Sequence, residues 1–213
     1  MKGLFITFEG IEGSGKSTQV TLLADHLAAQ GRAVMVTREP GGTRIGDQIR
    51  KILLDPANKA LDATSELLLY AASRAQHLTE VIHPARDAGK IILCDRFSDA
   101  TLAYQGYGRG LDREMIRTLD RMVTGEMRPD LTLLLDIDPE AGLVRARGRN
   151  FRSGLEGEAR FENEELAFHT RVRQGYRALA QEEPDRIRVV DASRPPDHVQ
   201  RTMRELVDEM LGK

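Results

Sequence analysis

The chain has 213 residues, which is enough for one α/β domain with a full hydrophobic core. Its formal net charge is −2 and it contains no long block of like charges, so a broad nucleic-acid-binding surface is excluded. The single cysteine excludes an internal disulfide. The five histidines have no metal-ligand spacing, which excludes a zinc site.

The compartment and the membrane relation also follow from composition. Cys94 lies in the apolar run 91–94, where we expect a buried thiol in a reducing cytoplasm. No apolar stretch approaches transmembrane length, and we expect no signal peptide because a strand pattern starts at Leu4. We therefore predict a cytoplasmic protein with neither nucleic-acid nor membrane partners.

A glycine-rich loop lies between the first predicted strand, Leu4–Phe8, and a predicted helix, Lys16–Gln30. Residues 10–17, GIEGSGKS, match the phosphate-binding pattern G-x-x-x-x-G-K-[ST] in the strand–loop–helix context that the pattern requires. Glycines let successive backbone N–H groups surround an anion, lysine adds charge for the β- and γ-phosphates, and serine can ligate Mg²⁺. The predicted nucleotide contacts are Gly10, Ile11, Glu12, Gly13, Ser14, Gly15, Lys16, Ser17 and Thr18. In the helix, we expect inward positions at Val20, Leu23, Leu27 and Ala28.

The second strand, Ala33–Thr37, is followed by the loop 38–43, at the strand end where open parallel sheets bind ligands. A helix over 45–54 and a long helix over Thr64–Asp87 follow. The apolar stripe of the long helix is predicted at Leu68, Ala71, Ala75, Leu78, Ile82 and Ala85. Periodicity alone favours a half-buried Tyr70 beside a solvated Arg74 on another face.

The continuous apolar run 91–94 predicts a parallel strand covered on both faces, ending at Asp95 and Arg96. The polar, glycine-rich stretch 101–110 is too long for a simple turn. A helix over Asp112–Val123, a strand over Leu131–Asp136 and a helix over Pro139–Arg147 come next. Strand–helix alternation indicates a three-layer α/β sandwich with a five-stranded parallel sheet, in a single domain 1–213.

Residues 145–160 contain five arginines among glycines, and these cations repel one another unless anions lie between them. A solvated basic loop also explains the pattern. Beside a phosphate-binding loop, a flexible closing lid over about 146–160 is favoured. The remaining elements are a helix over Arg160–Gln181, the strand 187–191, and a final helix. The inward positions predicted in the first of these helices are Phe161, Phe168, Val172, Tyr176 and Leu179. The final helix has predicted inward positions at Val199, Met203, Leu206 and Met210.

Several motifs resemble those of the thymidylate kinase family: FEGIEGSGKST at 8–18, TREPGGT at 37–43, LLYAASR at 68–74, DRF at 95–97 and YQG at 104–106. They occur in order along the whole chain. The resemblance implies a P-loop nucleoside monophosphate kinase fold and the Mg²⁺-dependent reaction ATP + dTMP → ADP + dTDP in dTTP biosynthesis. It also implies a homodimer, with ATP and dTMP as small-molecule substrates.

The resemblance also implies residue roles. Tyr70 stacks on thymine, Arg74 reaches the base, and Thr101 and Gln105 line the same pocket. Tyr104 crowds the sugar 2′ position. Glu12 lies beside the 3′-hydroxyl, and Arg38 and Arg96 hold the acceptor phosphate. Asp95 and Ser17 hold Mg²⁺, and Lys16 and Arg96 act in catalysis. Arg145 and the turn 191–194 pack against adenine.

The family differs in where its catalytic arginine lies. The phosphate loop has none, so the chain resembles the bacterial type with a lid-borne arginine. Arg160 matches the family position by alignment, although its usual acidic neighbour is Ala159 here; Arg152 and Arg149 stay open.

Two alternatives remain. One is a kinase for another deoxynucleotide or nucleoside, although a neutral hydroxyl acceptor needs a general base rather than arginines. The other is a nucleotide-dependent switch of the partitioning or GTPase kind, but the sequence lacks the guanine-reading N/T-K-x-D motif.

Overall fold

A computed structural model describes residues 3–125, 127–153 and 159–212, and for residues 149–153 it describes the backbone alone. Within these residues, five parallel strands form one sheet in the order β2-β3-β1-β4-β5. The strands are β1 (Phe5–Glu9), β2 (Val34–Arg38), β3 (Ile91–Asp95), β4 (Leu131–Asp136) and β5 (Ile187–Asp191). The predicted five-stranded parallel sheet is confirmed.

Helices connect the strands and follow the last one. They are α1 (Lys16–Ala29), α2 (Arg44–Leu54), α3 (Ala63–His77), α4 (His83–Asp87), α5 (Ser98–Thr101), α6 (Arg113–Thr124), α7 (Pro139–Ser153), α8 (Leu166–Glu182) and α9 (Pro196–Met210). Side chains cap several of them: Asp62 accepts the N–H groups of Thr64 and Ser65 at the start of α3, and Asp112 accepts that of Met115 in α6.

The sheet has a hydrophobic core on each side. Along β3, Ile91 and Leu93 belong to one buried cluster, whereas Ile92 and Cys94 belong to another. Since successive strand residues point to opposite faces, both faces are covered. This explains why β3 is apolar at every position, and the predicted burial of the Cys94 thiol holds.

The predicted long helix is divided in the structure. α3 ends at His77, a π-helical segment covers Leu78–Ile82, and α4 continues to Asp87. The predicted stripe is wrong at Leu68, which is 54% exposed, because Leu67 takes the buried position. Similar corrections apply at Ala28 in α1, which is exposed, and at Met210 in α9, where Val207 is buried instead.

The glycine-rich stretch that is too long for a simple turn is helical over residues 101–108. α5 runs directly into a π-helical segment, Leu102–Gly108, that packs against α8. A Cβ atom on Gly108 would lie 2.7 Å from the ring of Phe168, so glycine is required here for close packing. The glycines in this segment therefore permit contact between helices.

The boundaries around the predicted lid also differ. α7 continues to Ser153, past the predicted end at Arg147, and α8 begins at Leu166 rather than at Arg160. Phe161 is buried as expected, but it lies in a turn before α8. Residues 154–158 of the predicted lid lie outside the described residues.

Candidate active site

A cleft of about 1050 Å³ opens at the carboxyl ends of β1, β2 and β3. Parallel pairing aligns these ends, because Asp95 in β3 is opposite both Phe8 in β1 and Arg38 in β2. The predicted site residues that line the cleft are Glu12, Gly13, Ser14, Gly15, Lys16, Ser17, Thr18, Arg38, Tyr70, Asp95, Arg96, Thr101, Tyr104, Gln105 and Arg145. Ligand binding at this edge is the general behaviour of open parallel sheets.

The phosphate-binding loop joins β1 to α1 and packs closely on α7. A Cβ atom on Gly13, whose φ is +71°, would lie 1.9 Å from the carbonyl oxygen of Gly142, so no side chain fits there. Gly10 and Ile11 are not in the cleft lining. Their carbonyl oxygens instead accept hydrogen bonds from Lys16 Nζ, each at 3.0 Å.

Lys16 is a buried cation at the base of the loop. Burial, together with the charge of the nearby Arg96, lowers its pKa from 10.5 to about 8. A polyphosphate in the loop would offset both effects, since an anion favours the charged ammonium. The loop is therefore built to bind a negatively charged group.

Ser17 and Asp95 bring two oxygen ligands together at the start of α1. Ser17 Oγ donates a hydrogen bond to Asp95 Oδ2 at 2.9 Å. One hydroxyl and one carboxylate suit Mg²⁺, which retains waters and takes its other ligands from substrate phosphates. No group of three or more His, Cys, Asp or Glu side chains in the described part of the chain could form an all-protein metal cage.

Arg96 lies in the cleft between the phosphate-binding loop and Tyr104. One guanidinium nitrogen donates to the Gly10 carbonyl (2.9 Å) and the Tyr176 hydroxyl (3.1 Å). The other donates to Glu12 Oε1 (2.9 Å) and the Tyr104 hydroxyl (3.0 Å). These contacts hold the cation at a fixed point near the phosphate-binding loop.

Glu12 is held as a carboxylate in this network. Burial alone raises its pKa, but contact with His169 and the charges of Arg96 and Lys16 outweigh it and bring the pKa to about 2. His169 Nδ1 lies 3.3 Å from Glu12 Oε2, and the Tyr104 hydroxyl donates to Glu12 Oε1 at 2.6 Å. Glu12 is therefore an ionised hydrogen-bond acceptor on the cleft wall.

Tyr70 is half-buried and lines the cleft, as its predicted role requires, but Arg74 is not solvated and is not in the lining. Arg74 is 3% exposed and pairs with Glu39 at 2.9 Å, and it also donates to Thr101 Oγ1 at 2.9 Å. The four-residue spacing of Tyr70 and Arg74 indicated only that the two side chains lie on the same face of the helix. The arginine's partner lies 35 residues earlier in the chain.

The predicted arginines differ in exposure. Arg38 is 56% exposed on the cleft edge and lies 3.4 Å from Asp47, whereas Arg145 donates to the Ala192 carbonyl at 2.9 Å. The side chain of Arg152 lies outside the described residues. Arg160 does not line the cleft: it is buried, donates to the Leu53 carbonyl and pairs with Glu66.

Comparisons with known proteins agree with this geometry. A family model described as thymidylate kinase matches residues 8–203. A thymidylate kinase of Syntrophotalea carbinolica is 60% identical over 92% of this chain and 90% of its own length. One of Desulfovibrio desulfuricans is 53% identical over 99% of this chain and 97% of its own.

The chain belongs to the thymidylate kinase family. A crystal structure of a thymidylate kinase from Ehrlichia chaffeensis matches it with a TM-score of 0.77 and 34% identity, covering 98% of this chain and 99% of that one. The predicted family and P-loop kinase fold are thus confirmed.

Several residues around this kinase cleft were missed by the sequence interpretation. Glu39, Arg50, Phe161, Glu162 and Arg194 line the cleft. Glu39 belongs to a family motif, and Arg194 to the turn at 191–194, but neither received a role of its own. Arg50 gave no signal, because an arginine in an amphipathic helix is ordinarily a surface residue.

Proposed function

We propose that the chain transfers the γ-phosphoryl group of ATP to dTMP, giving ADP and dTDP for dTTP biosynthesis. The observation that carries the proposal is one continuous cleft. It has a phosphate-binding loop at one end, Tyr70 with Thr101 and Gln105 at the other, and Arg96 between them. Membership of the thymidylate kinase family supports the same reaction.

At the donor end, the loop N–H groups and Lys16 hold the β- and γ-phosphates. Positive charge is what this reaction needs, because phosphoryl transfer spreads negative charge over the outer oxygens of the transferred group. Arg145 and the turn at 191–194 hold adenine, supported by their shared position on the cleft wall.

At the acceptor end, Tyr70 stacks on thymine and Thr101 and Gln105 line the base pocket. Tyr104 stands beside the sugar, where its bulk disfavours a 2′-hydroxyl, and Glu12 accepts from the 3′-hydroxyl. Arg38 and Arg96 hold the acceptor phosphate. Arg74 supports this pocket through its hydrogen bond to Thr101 rather than by facing the cleft.

We assign Mg²⁺ to Ser17 and Asp95, whose oxygens adjoin each other. Ser17 and Asp95 would hold the ion, which would supply positive charge to the phosphates of ATP. Ser17 and Asp95 also fix the start of α1 against β3, which sets the loop in register with Arg96.

A lid arginine completes the proposed site. The loop supplies none, so a residue among 149–160 neutralises the transferred phosphoryl group after closure, which limits wasteful hydrolysis. Arg160 and Arg152 are the candidates. Arg160 is already paired with the buried Glu66. This pairing favours Arg152 as the arginine that neutralises the transferred phosphoryl group.

We further propose a homodimer in the cytoplasm. Large exposed apolar side chains on the neighbouring helices α2, α3 and α6, namely Ile45, Ile52, Leu68, Met115 and Met122, support association with a second copy. Among the described residues, the helices are all too short or too polar to cross a bilayer.

A coupled ADP-release assay tests the reaction. The purified chain with ATP and Mg²⁺ is offered dTMP, dUMP, dCMP, dAMP and thymidine in turn. We expect the highest kcat/KM with dTMP. A higher value with another acceptor would replace dTMP as substrate, and slow hydrolysis unaffected by any acceptor would favour the nucleotide-dependent switch.

A further inference from the structure

Arg96 has a backbone conformation that its side chain does not favour. Its φ is +73°, and it is the single non-glycine residue with positive φ among the described residues. An L-residue with a bulky side chain keeps such a conformation only where its surroundings fix it. Residues with this strained backbone occur most often at functional sites.

Hydrogen bonds from two main-chain N–H groups hold this backbone. The N–H of Arg96 donates to the Phe8 carbonyl at 3.0 Å, and the N–H of Phe97 donates to Glu9 Oε1 at 2.7 Å. Glu9 is the last residue of β1 and is completely buried. One of its carboxylate oxygens therefore anchors the peptide that follows Arg96.

The other carboxylate oxygen of Glu9 reaches the Arg96 side chain through a tyrosine. The Tyr176 hydroxyl donates to Glu9 Oε2 at 2.7 Å and accepts from the Arg96 guanidinium at 3.1 Å. Neither Glu9 nor Tyr176 lines the cleft. From outside the cleft, their polar atoms contact Arg96 and the peptide after it. A fully buried carboxylate is costly unless it has such partners.

We propose that Glu9 and Tyr176 are positioning residues that act on the acceptor phosphate only through Arg96. Glu9 fixes the backbone after Arg96 with one oxygen, and Tyr176 fixes the guanidinium with a hydroxyl that Glu9 orients. This inference rests on the proposed function, in which Arg96 holds the phosphate of dTMP. Because Tyr176 is in α8, this helix becomes one of the elements that determine the affinity for the acceptor.

A double-mutant cycle tests the proposal. Tyr176→Phe keeps the ring and removes only the hydroxyl, so the aromatic packing against Tyr104 is retained. In the wild-type background we expect kcat/KM for dTMP to fall about tenfold while KM for ATP changes less than about twofold. In an Arg96→Ala background, Tyr176→Phe should change kcat/KM for dTMP by less than about twofold.

Two further variants complete the design. Glu9→Gln keeps an acceptor for the Phe97 N–H but turns an amide N–H₂ group toward the Tyr176 hydroxyl. It should lower kcat/KM for dTMP and add little to Tyr176→Phe. Tyr107→Phe is the matched control, since the Tyr107 hydroxyl accepts from Arg113 at 2.7 Å outside the cleft; it should leave kcat/KM within about twofold of wild type.

The outcomes separate this inference from the proposed function. Wild-type protein that does not phosphorylate dTMP overturns the proposed function. Active wild-type protein in which Tyr176→Phe has no effect, or the same effect with and without Arg96, overturns the positioning role. Equal losses for ATP and dTMP indicate general destabilisation, which thermal melting detects, and also overturn it.

Discussion

Lys16 is a buried cation whose hydrogen bonds go to its own loop, so the fold does not depend on it for a long-range contact. Lys16→Ala should leave thermal stability unchanged or raised, because it removes a cation that burial disfavours. It should lower kcat by about 10²–10³, the effect of losing one electrostatic donor to the transition state.

Steady-state ADP release and thermal melting measure both effects, with Lys51→Ala on the exposed side of α2 as the matched control. Near wild-type turnover in Lys16→Ala would refute the role of this loop in catalysis.

Tyr104 combines a buried ring with a hydroxyl fixed by Glu12 and Arg96. If the ring crowds the sugar 2′ position, Tyr104→Ala should reduce the preference for dTMP over its ribonucleotide counterpart. Tyr104→Phe retains the ring and should preserve that preference.

The ratio of kcat/KM for the two acceptors measures this effect within each variant. It is insensitive to a general loss of stability from the disrupted contacts with Phe161 and Phe168. An unchanged ratio in Tyr104→Ala would remove this residue from sugar selection.

Glu9 makes stability depend on pH. Burial, together with the charge of Asp99, raises its pKa from 4.5 to about 7. The folded protein therefore binds a proton at Glu9 more tightly than the unfolded chain. Stability from this group falls as pH rises from about 4.5 to 7, and the cost is fully present above pH 7.

Glu9→Gln stays neutral and lacks this dependence. The free energy of unfolding of Glu9→Gln minus that of wild type should be about 2 kcal/mol more favourable to the variant at pH 8 than at pH 5. Urea titrations of both proteins at the two pH values measure this difference. Glu209→Gln on the exposed side of α9 is the control. An equal difference from wild type at both pH values would contradict the raised pKa of Glu9.

At the scale of elements, periodicity and apolar runs predicted the strands and most helices, because these depend on local pattern. The strands β1 and β2 end one residue later than predicted, at Glu9 and Arg38. The π-helical segment Leu102–Gly108 could not be predicted, since its Gly108 is explained by Phe168 and Val172 on α8. A contact about 60 residues away leaves no local signal.

The site residues that belong to motifs could be predicted from the sequence, whereas those that depend on distant partners could not. Motif residues such as Lys16 and Asp95 lie in the cleft because their positions follow from the strand ends. Glu39 and Tyr176 could not be given roles, since their partners Arg74 and Arg96 come from distant segments. Periodicity predicted that Tyr176 is buried but not that its hydroxyl bonds to an arginine.

The segment before α8 determines which lid arginine acts in catalysis. Arg160 links the carboxyl end of α2, through Leu53, to Glu66 in α3. Glu66 is completely buried but keeps its contacts with Arg109 and Gln105, so Arg160→Ala should lower the free energy of unfolding by about 1–3 kcal/mol.

Arg152→Ala should instead lower kcat more than about tenfold with little change in Kd for ATP or dTMP, because its contact forms mainly in the transition state. Arg149→Ala tests the remaining candidate, and Arg177→Ala on the exposed side of α8 is the control. If Arg160→Ala alone reduces kcat in this way at full stability, Arg160 is the catalytic arginine. If none of the three does, the lid hypothesis is wrong.

For the whole molecule, the distribution of exposed apolar side chains leads to a prediction about assembly. Leu68 on α3 and Met122 on α6 are 54% and 75% exposed, on helices that contact each other. Burying such side chains between two copies removes apolar surface from water and favours a homodimer.

Light scattering after size exclusion should give twice the chain mass for wild type. Leu68→Glu and Met122→Glu should each shift the mass toward the monomer, because a charge would be buried in the interface. Met210→Glu on α9, which packs against α1 and β5 instead, should leave the mass unchanged. A monomeric wild type at micromolar concentration would contradict the homodimer, and dissociation by Met210→Glu alone would move the interface to α9.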